Sequence, residues 1–472
     1  MNALVRLAEL RGSLEEGVYY TEVMVGSPRP QNASLIVDTA SWITEMTCAG
    51  CKVCGKHINP QFDIARSRTA SLLSCRSVCP GLCHKDKCTF KEKYLEGSSL
   101  EGLWFQDQLR FDPGSPDGGG KGKGIFATFG CSFKETGLFA SQRQNGILGL
   151  APGSEAKPTL VYHIFKKAER NSHVFTLCLR RRGGYLTFGQ KRSHGHAKVP
   201  LAISSHGKYS IQVQGMKVNG KTLQVRLGKA QLDSASTLTY LPPHAEKVLR
   251  RAIEEHCGPS HCGHPPSSGG DEVSRSCWRQ GKKSLSMHRF PVLSWILQGM
   301  EVQWMPSQYL LRHENNQRLC YTFRPTEVLP DGSQVVLGAS WMINQELLFD
   351  IGSKRLGLWN STCQSPALTQ PTPLQNLRGR AGKWPSPTPK SFPSILPNNR
   401  TQIMPFSGTS PKLAGILGSD NAMAVLLLPK TEMGTVWLAS GLVLAGTCAS
   451  LCAFGRRALW RFLRDLCKPW RR

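Results

Sequence analysis

Short apolar runs that stop at an aspartate or a glycine punctuate most of the chain, and one long uncharged run lies near its end. Leu35, Ile36 and Val37 lead into Asp38-Thr39-Ala40-Ser41, and Ala230, Gln231 and Leu232 lead into Asp233-Ser234-Ala235-Ser236. About a hundred residues after each stands a second small apolar run ending in glycine, Ile147-Leu148-Gly149 and Val336-Leu337-Gly338. An Asp followed by a hydroxyl residue is common by chance. Two copies with matching downstream partners predict a duplicated, strand-rich lobe. Segment 17–25 reads as the first strand of the folded body, which leaves 1–16 as a residual N-terminal segment that lacks the apolar core of a signal peptide.

Residues 434–454 carry no charged side chain. At a rise of about 1.5 Å per residue, a helix of that length crosses a hydrocarbon core of about 30 Å. The stretch after it, 455–472, holds Arg456, Arg457, Arg461, Arg464, Lys468, Arg471 and Arg472 against Asp465 alone, which predicts a cytosolic tail and a luminal body. Segment 364–433 is rich in Pro, Ser and Thr without periodicity and reads as a flexible stalk. The expected layout is therefore two lobes, 17–190 and 191–363, on a stalk, a single transmembrane helix and a basic tail.

Composition changes this picture in two ways. The 472 residues carry 59 Lys and Arg against 32 Asp and Glu, a net charge of +27 that first suggests a nucleic-acid partner. The cations are scattered, as at Arg180 to Arg182 and Lys282 to Lys283, without interleaved aromatics or a binding motif, so a solvated basic surface is the better reading and no nucleic acid is expected. Of 17 cysteines, 14 lie between Cys48 and Cys363. An even number upstream of a membrane span predicts disulfides in an oxidising lumen. A zinc site built from Cys48, Cys51, Cys54 and His57 is the competing arrangement, and His256, His261 and His264 with Cys257 and Cys262 form a looser cluster in a Gly- and Pro-rich loop.

The duplicated aspartates carry the chemistry. Two carboxylates in one cleft cannot both ionise cheaply, so they share a proton: one takes a proton from water while the other hydrogen-bonds a scissile carbonyl. Thr39 and Ser234 would supply hydroxyls that brace the two loops.

With these residues in view, 17–363 resembles the pepsin-like aspartic proteases. The resemblance implies an all-β-dominated bilobal fold with a central cleft, followed here by the C-terminal transmembrane helix, and catalytic roles for Asp38 and Asp233. It also implies a flap at Tyr94-Leu95-Glu96-Gly97-Ser98, with Tyr94 over the cleft, and closing strands from Leu347 to Asp350 and Arg355 to Leu358. Cys48-Ala49-Gly50-Cys51-Lys52-Val53-Cys54-Gly55, followed by Cys75, Cys79, Cys83 and Cys88, resembles the nepenthesin-type insert of the plasmepsin V group of export proteases. On that likeness Cys48 pairs with Cys51, Cys54 with Cys131, Cys75 with Cys88, Cys79 with Cys83 and Cys178 with Cys363, while Cys257, Cys262, Cys277 and Cys320 form two more bridges.

The same resemblance implies an endopeptidase without a cofactor or metal, acting on secretory-pathway polypeptides after an Arg-x-Leu type motif in the endoplasmic reticulum or Golgi. Glu96, with Gln142 as a second group, would receive the arginine through its planar fork. A non-cleaving peptide receptor of the same fold is the alternative. Ala40 and Ala235 stand where the family normally has glycine; alanine keeps the backbone N–H and is costly only if φ is positive there. Asn32-Ala33-Ser34, Asn360-Ser361-Thr362 and Asn399-Arg400-Thr401 are glycosylation sequons compatible with a luminal side.

Overall fold

The computed structural model describes residues 6–364, apart from positions 77, 95–96, 112–123, 167, 169–171, 190–196, 206, 259–260, 268, 270, 282–284 and 314–316. Among the described residues no helix is long and apolar enough to cross a membrane; the 434–454 run, the basic tail and all but the first residue of the stalk lie outside them.

Among the described residues, three sheets account for the body. A fifteen-stranded sheet carries the first half of the chain, and a nine-stranded sheet carries most of the second. A three-stranded sheet, Cys277–Arg279, Arg318–Tyr321 and Leu310–His313, lies apart from both. The large sheet is not confined to one half: Gln345–Asp350 pairs with Val174–Leu179, and Arg355–Asn360 pairs with Ala197–Pro200. Phe175 and Phe349 are register partners on adjacent strands buried along their whole length, so their side chains share a face and the rings stack at 4.4 Å, both fully buried.

The N-terminal segment needs a correction. Residues set aside before the first strand form a strand of their own, Arg6–Ser13, paired to Arg182–Phe188 and to the start of Val18–Val25. Its apolar positions Leu7, Ala8 and Leu10 are all buried. Arg6, Glu9 and Arg11 interrupt the apolar residues of the run without strict alternation, and the neighbours Leu7 and Ala8 are both buried once the strand pairs.

The repeat in the sequence is a repeat in space. In the first half, strand Gly146–Gly149 runs parallel to Gln31–Asp38 with Leu148 beside Val37 and Gly149 beside Asp38. In the second, Val335–Leu337 runs parallel to Gly228–Leu232 with Leu337 beside Leu232, so the next pair in step is Gly338 and Asp233. Both glycines are dictated by crowding. A Cβ on Gly149 would lie 2.7 Å from the Ser41 carbonyl oxygen and closer still to that of Ile43; on Gly338 it would lie 2.6 Å from the Ser236 oxygen and closer still to that of Leu238. The colliding groups occupy equivalent positions in the two copies.

The seven disulfides use all fourteen cysteines between Cys48 and Cys363, but four pairings implied by family likeness are corrected. Cys48 joins Cys131, Cys51 joins Cys54, Cys75 joins Cys83 and Cys79 joins Cys88. Cys178 joins Cys363 as expected, and the last four form Cys257–Cys262 and Cys277–Cys320. Strand register explains the first change. Strand Glu45–Thr47 lies parallel to Ile125–Glu135 with Met46 beside Cys131, which brings buried Cys48 to 5.4 Å from Cys131 between Cα atoms. The zinc arrangement has no free thiols, and His57 is held between Glu135 and the Gln142 carbonyl.

Candidate active site

Asp38 ends its strand and is 5% exposed. Its Oδ1 accepts the N–H groups of Ala40 at 2.8 Å and Ser41 at 3.0 Å, and its Oδ2 accepts the Ser41 hydroxyl at 2.5 Å. Asp233 is held the same way: Oδ1 accepts from Ala235 and Ser236 N–H at 3.1 Å each, and Oδ2 accepts the Ser236 hydroxyl at 3.0 Å.

The two loops are laced together. Thr39 N–H donates to Ser234 Oγ at 3.1 Å, and Ser234 N–H donates to Thr39 Oγ1 at 3.0 Å. Each hydroxyl then donates across the seam to a strand carbonyl, Thr39 to Leu232 at 3.0 Å and Ser234 to Val37 at 2.7 Å. Because both hydroxyls and both N–H groups are buried, an unmade bond here would leave a desolvated polar group, so the brace holds the carboxylates close. The proximity is felt electrostatically: burial first, and then the neighbouring Asp233, push the Asp38 carboxyl up to about 6, against the pull of the Ser41 hydroxyl, Lys208 and the Ala40 N–H.

Ser41 and Ser236 were not singled out by the sequence reading, although the signal was present. Serine stands three residues after the aspartate in both copies, and only the geometry shows that this spacing turns the hydroxyl back onto the carboxylate.

Ala40 and Ala235 are not among the non-glycine residues with positive φ, so the methyl groups meet no left-handed backbone. Restoring glycine at both is therefore expected to leave turnover within about twofold and to lower stability by about 0.4–1 kcal/mol per site, through greater freedom of the unfolded chain. Denaturant titration beside steady-state kinetics checks this; a large gain in turnover would contradict it.

Tyr94 sits on a hairpin between Lys87–Lys93 and Ser99–Phe111, closed by Tyr94 N–H to the Ser98 carbonyl at 2.9 Å and Gly97 N–H to the Tyr94 carbonyl at 3.0 Å. Gly97 at φ +96° supplies the left-handed turn. The Tyr94 ring packs edge-on against Phe139 at 4.8 Å, and its hydroxyl is paired with Ser41 and faces Asp38. Burial, with the charges of Asp38 and Glu45 adding to it, keeps that phenol neutral.

Gln142 follows the short helix Leu138–Ser141, whose Leu138 N–H donates to Ser98 Oγ at the base of the same hairpin. Its side chain donates to the Gln144 carbonyl at 3.4 Å. Glu96 lies outside the described residues. Behind the site, Glu45 is fully buried against the Ser132 hydroxyl at 2.5 Å, and burial pushes its carboxyl up to about 8.

Two strand-rich halves facing each other through matched, hydroxyl-braced aspartate loops, with a tyrosine hairpin above, define a pepsin-like aspartic protease domain. Residues 19–190 match the family described as Xylanase inhibitor N-terminal, and residues 208–359 its companion, Xylanase inhibitor C-terminal. Relatives include Aspartic protease 5 of Toxoplasma gondii, 28% identical over 77% of this chain and 38% of that protein. Plasmepsin V of Plasmodium falciparum is 34% identical over 45% of this chain and 38% of its own length. The plant protein ASPARTIC PROTEASE IN GUARD CELL 2 of Arabidopsis thaliana is 24% identical over 68% and 67%. The chain belongs to the pepsin-like aspartic protease family, and it spans under two fifths of the length of the two apicomplexan relatives it matches.

Proposed function

We propose that this chain is a membrane-anchored endopeptidase that processes secretory or exported polypeptides after an Arg-x-Leu type motif. The observation that carries the reading is the pair of carboxylates, each gripped by two backbone N–H groups and a serine and joined by the Thr39–Ser234 brace.

Asp38 is the member held toward the protonated form. Its O–H then donates to the scissile carbonyl oxygen while Asp233 takes a proton from water, and the water oxygen bonds the carbonyl carbon. As the tetrahedral species collapses, Asp233 passes that proton to the amide nitrogen, the C–N bond breaks, and a hydroxyl proton returns to Asp38. Tyr94 covers the reacting bond. The seven disulfides support a luminal body in the endoplasmic reticulum or Golgi, and exposed Asn32 and Asn360 support it further. The 434–454 run would anchor the body to the bilayer.

Glu96, with Gln142 beside the hairpin base, would receive the substrate arginine. Glu96→Ala is expected to lower kcat/KM on an Arg-x-Leu peptide by about tenfold or more, the worth of one charge-assisted hydrogen bond, and to leave a peptide with leucine in place of arginine nearly unaffected. Equal losses on both peptides reject this role. A second reading, a peptide receptor that does not cleave, draws on the inhibitor description of the matched family. Peptide binding by purified protein with no product by mass spectrometry would decide for it.

A further inference from the structure

Lys208 immediately precedes strand Tyr209–Val218 in the second half, yet its ammonium group donates to the carbonyl of Ala40, inside the Asp38 loop of the first half. The approach is built in. A tight turn is closed by Gly207 N–H to the Ser204 carbonyl at 2.9 Å and by Lys208 N–H to Ser204 Oγ at 3.1 Å, with Gly207 at φ +73°. The next residue, buried Tyr209, donates its hydroxyl to the Leu150 carbonyl at 3.0 Å, and Leu150 N–H donates to the Asp38 carbonyl at 2.8 Å. The lysine is thus delivered on a short hairpin, anchored one residue away to the strand that supports Asp38.

We propose that Lys208 is a positioning residue for the cleavage reaction: its ammonium caps the Ala40 carbonyl across the seam and holds the Asp38 loop in the geometry the paired carboxylates need. The inference rests on the reading of Asp38 and Asp233 as the catalytic pair. The Ala40 carbonyl shares one rigid peptide plane with the Ser41 N–H, one of the two N–H groups that grip Asp38 Oδ1, so fixing that carbonyl fixes the direction of the Ser41 donor.

The lysine also acts through its charge. Among the described residues, the ionisable groups that act on Asp38 include Asp233, Tyr94 from the hairpin and Lys208, of which Lys208 carries positive charge. Lys208 also acts on Glu92 of the hairpin strand, as do Lys157 and the Trp42 indole, and Lys157 lies 4.4 Å from the centre of the Trp42 ring. The sequence around Lys208 does not signal this cluster; it exists only because two halves far apart in sequence meet.

The test compares wild type, K208M, K208R and the exposed control K221M as full chains. A cation near a carboxylate favours its ionised form, so its removal raises the titration of the pair. For K208M both limbs of the kcat/KM profile are expected to move to higher pH by about 0.5 unit, a shift reduced by partial exposure. At the optimum, kcat is expected to fall about tenfold with KM within twofold. K208R should restore the limbs, and K221M should not move them. Profiles of K208M and wild type that superimpose overturn the proposal.

If wild type itself cleaves nothing, the catalytic reading fails, and a second readout still decides on Lys208. Asp38 has a raised carboxyl in the fold, so its contribution to stability is present at low pH and lost as pH rises through about 6. K208M should deepen the fall of Tm between about pH 4 and 7 relative to wild type, and D38N should abolish the difference between the two. An unchanged Tm profile in K208M then removes the proposal.

Discussion

Asp38→Asn is expected to abolish peptide cleavage, by at least about a thousandfold in kcat/KM, while leaving the protein folded. Asparagine keeps the shape and an oxygen that can still accept the Ala40 and Ser41 N–H groups. It cannot hold and release the shared proton. The substitution also removes a carboxyl that burial beside Asp233 disfavours when ionised, so at neutral pH the variant should melt no lower than wild type. In the wild type, activity should decline as pH rises past about 6, where Asp38 loses its proton. Kinetics across pH with thermal melts of both proteins check the set. Cleavage retained in Asp38→Asn would show that the observed activity does not belong to this pair.

Gly338→Ala, and independently Gly149→Ala, are expected to cost about 4 kcal/mol or more, enough to prevent accumulation of folded protein. In both cases the added carbon would meet backbone carbonyls of the adjoining aspartate loop, Ser236 and Leu238 in one copy, Ser41 and Ile43 in the other. A flexible side chain could swing aside; a backbone carbonyl within the loop that grips the carboxylate cannot move without breaking that grip. Gly220→Ala is the control: it has φ +79° with no atom within 4 Å of the new carbon, so it meets only backbone strain, about 1 kcal/mol. Expression, Tm and denaturant midpoints separate the cases. A Gly338→Ala protein melting within a few degrees of wild type would mean that the parallel pairing of Val335–Leu337 with Gly228–Leu232 is wrong.

Much of the site was legible because it is local. An aspartate at the end of a strand, a hydroxyl beside it and a glycine on the neighbouring strand are short-range features, and their repetition distinguishes them from chance. The serines at 41 and 236 were within that pattern and went unused, since spacing alone does not say where a hydroxyl points. The disulfide framework was legible only in part. Cys178–Cys363 followed family likeness, but Cys48–Cys131 depends on which strand lies beside Glu45–Thr47, a question of sheet register. The first strand was misplaced for a similar reason: Arg6–Ser13 is held by Arg182–Phe188, a partner far along the chain.

From the sequence alone came the duplication, the identity of the paired acids, the strand-rich class and an even set of cysteines, because each is written in residue type and periodicity over a few positions. Tertiary structure decided the negative φ of Ala40 and Ala235, the interlobe hydroxyl brace, the cysteine partners and the reach of Lys208 to Ala40. These depend on which distant segments meet and at what register, and that is settled by the packing of whole sheets.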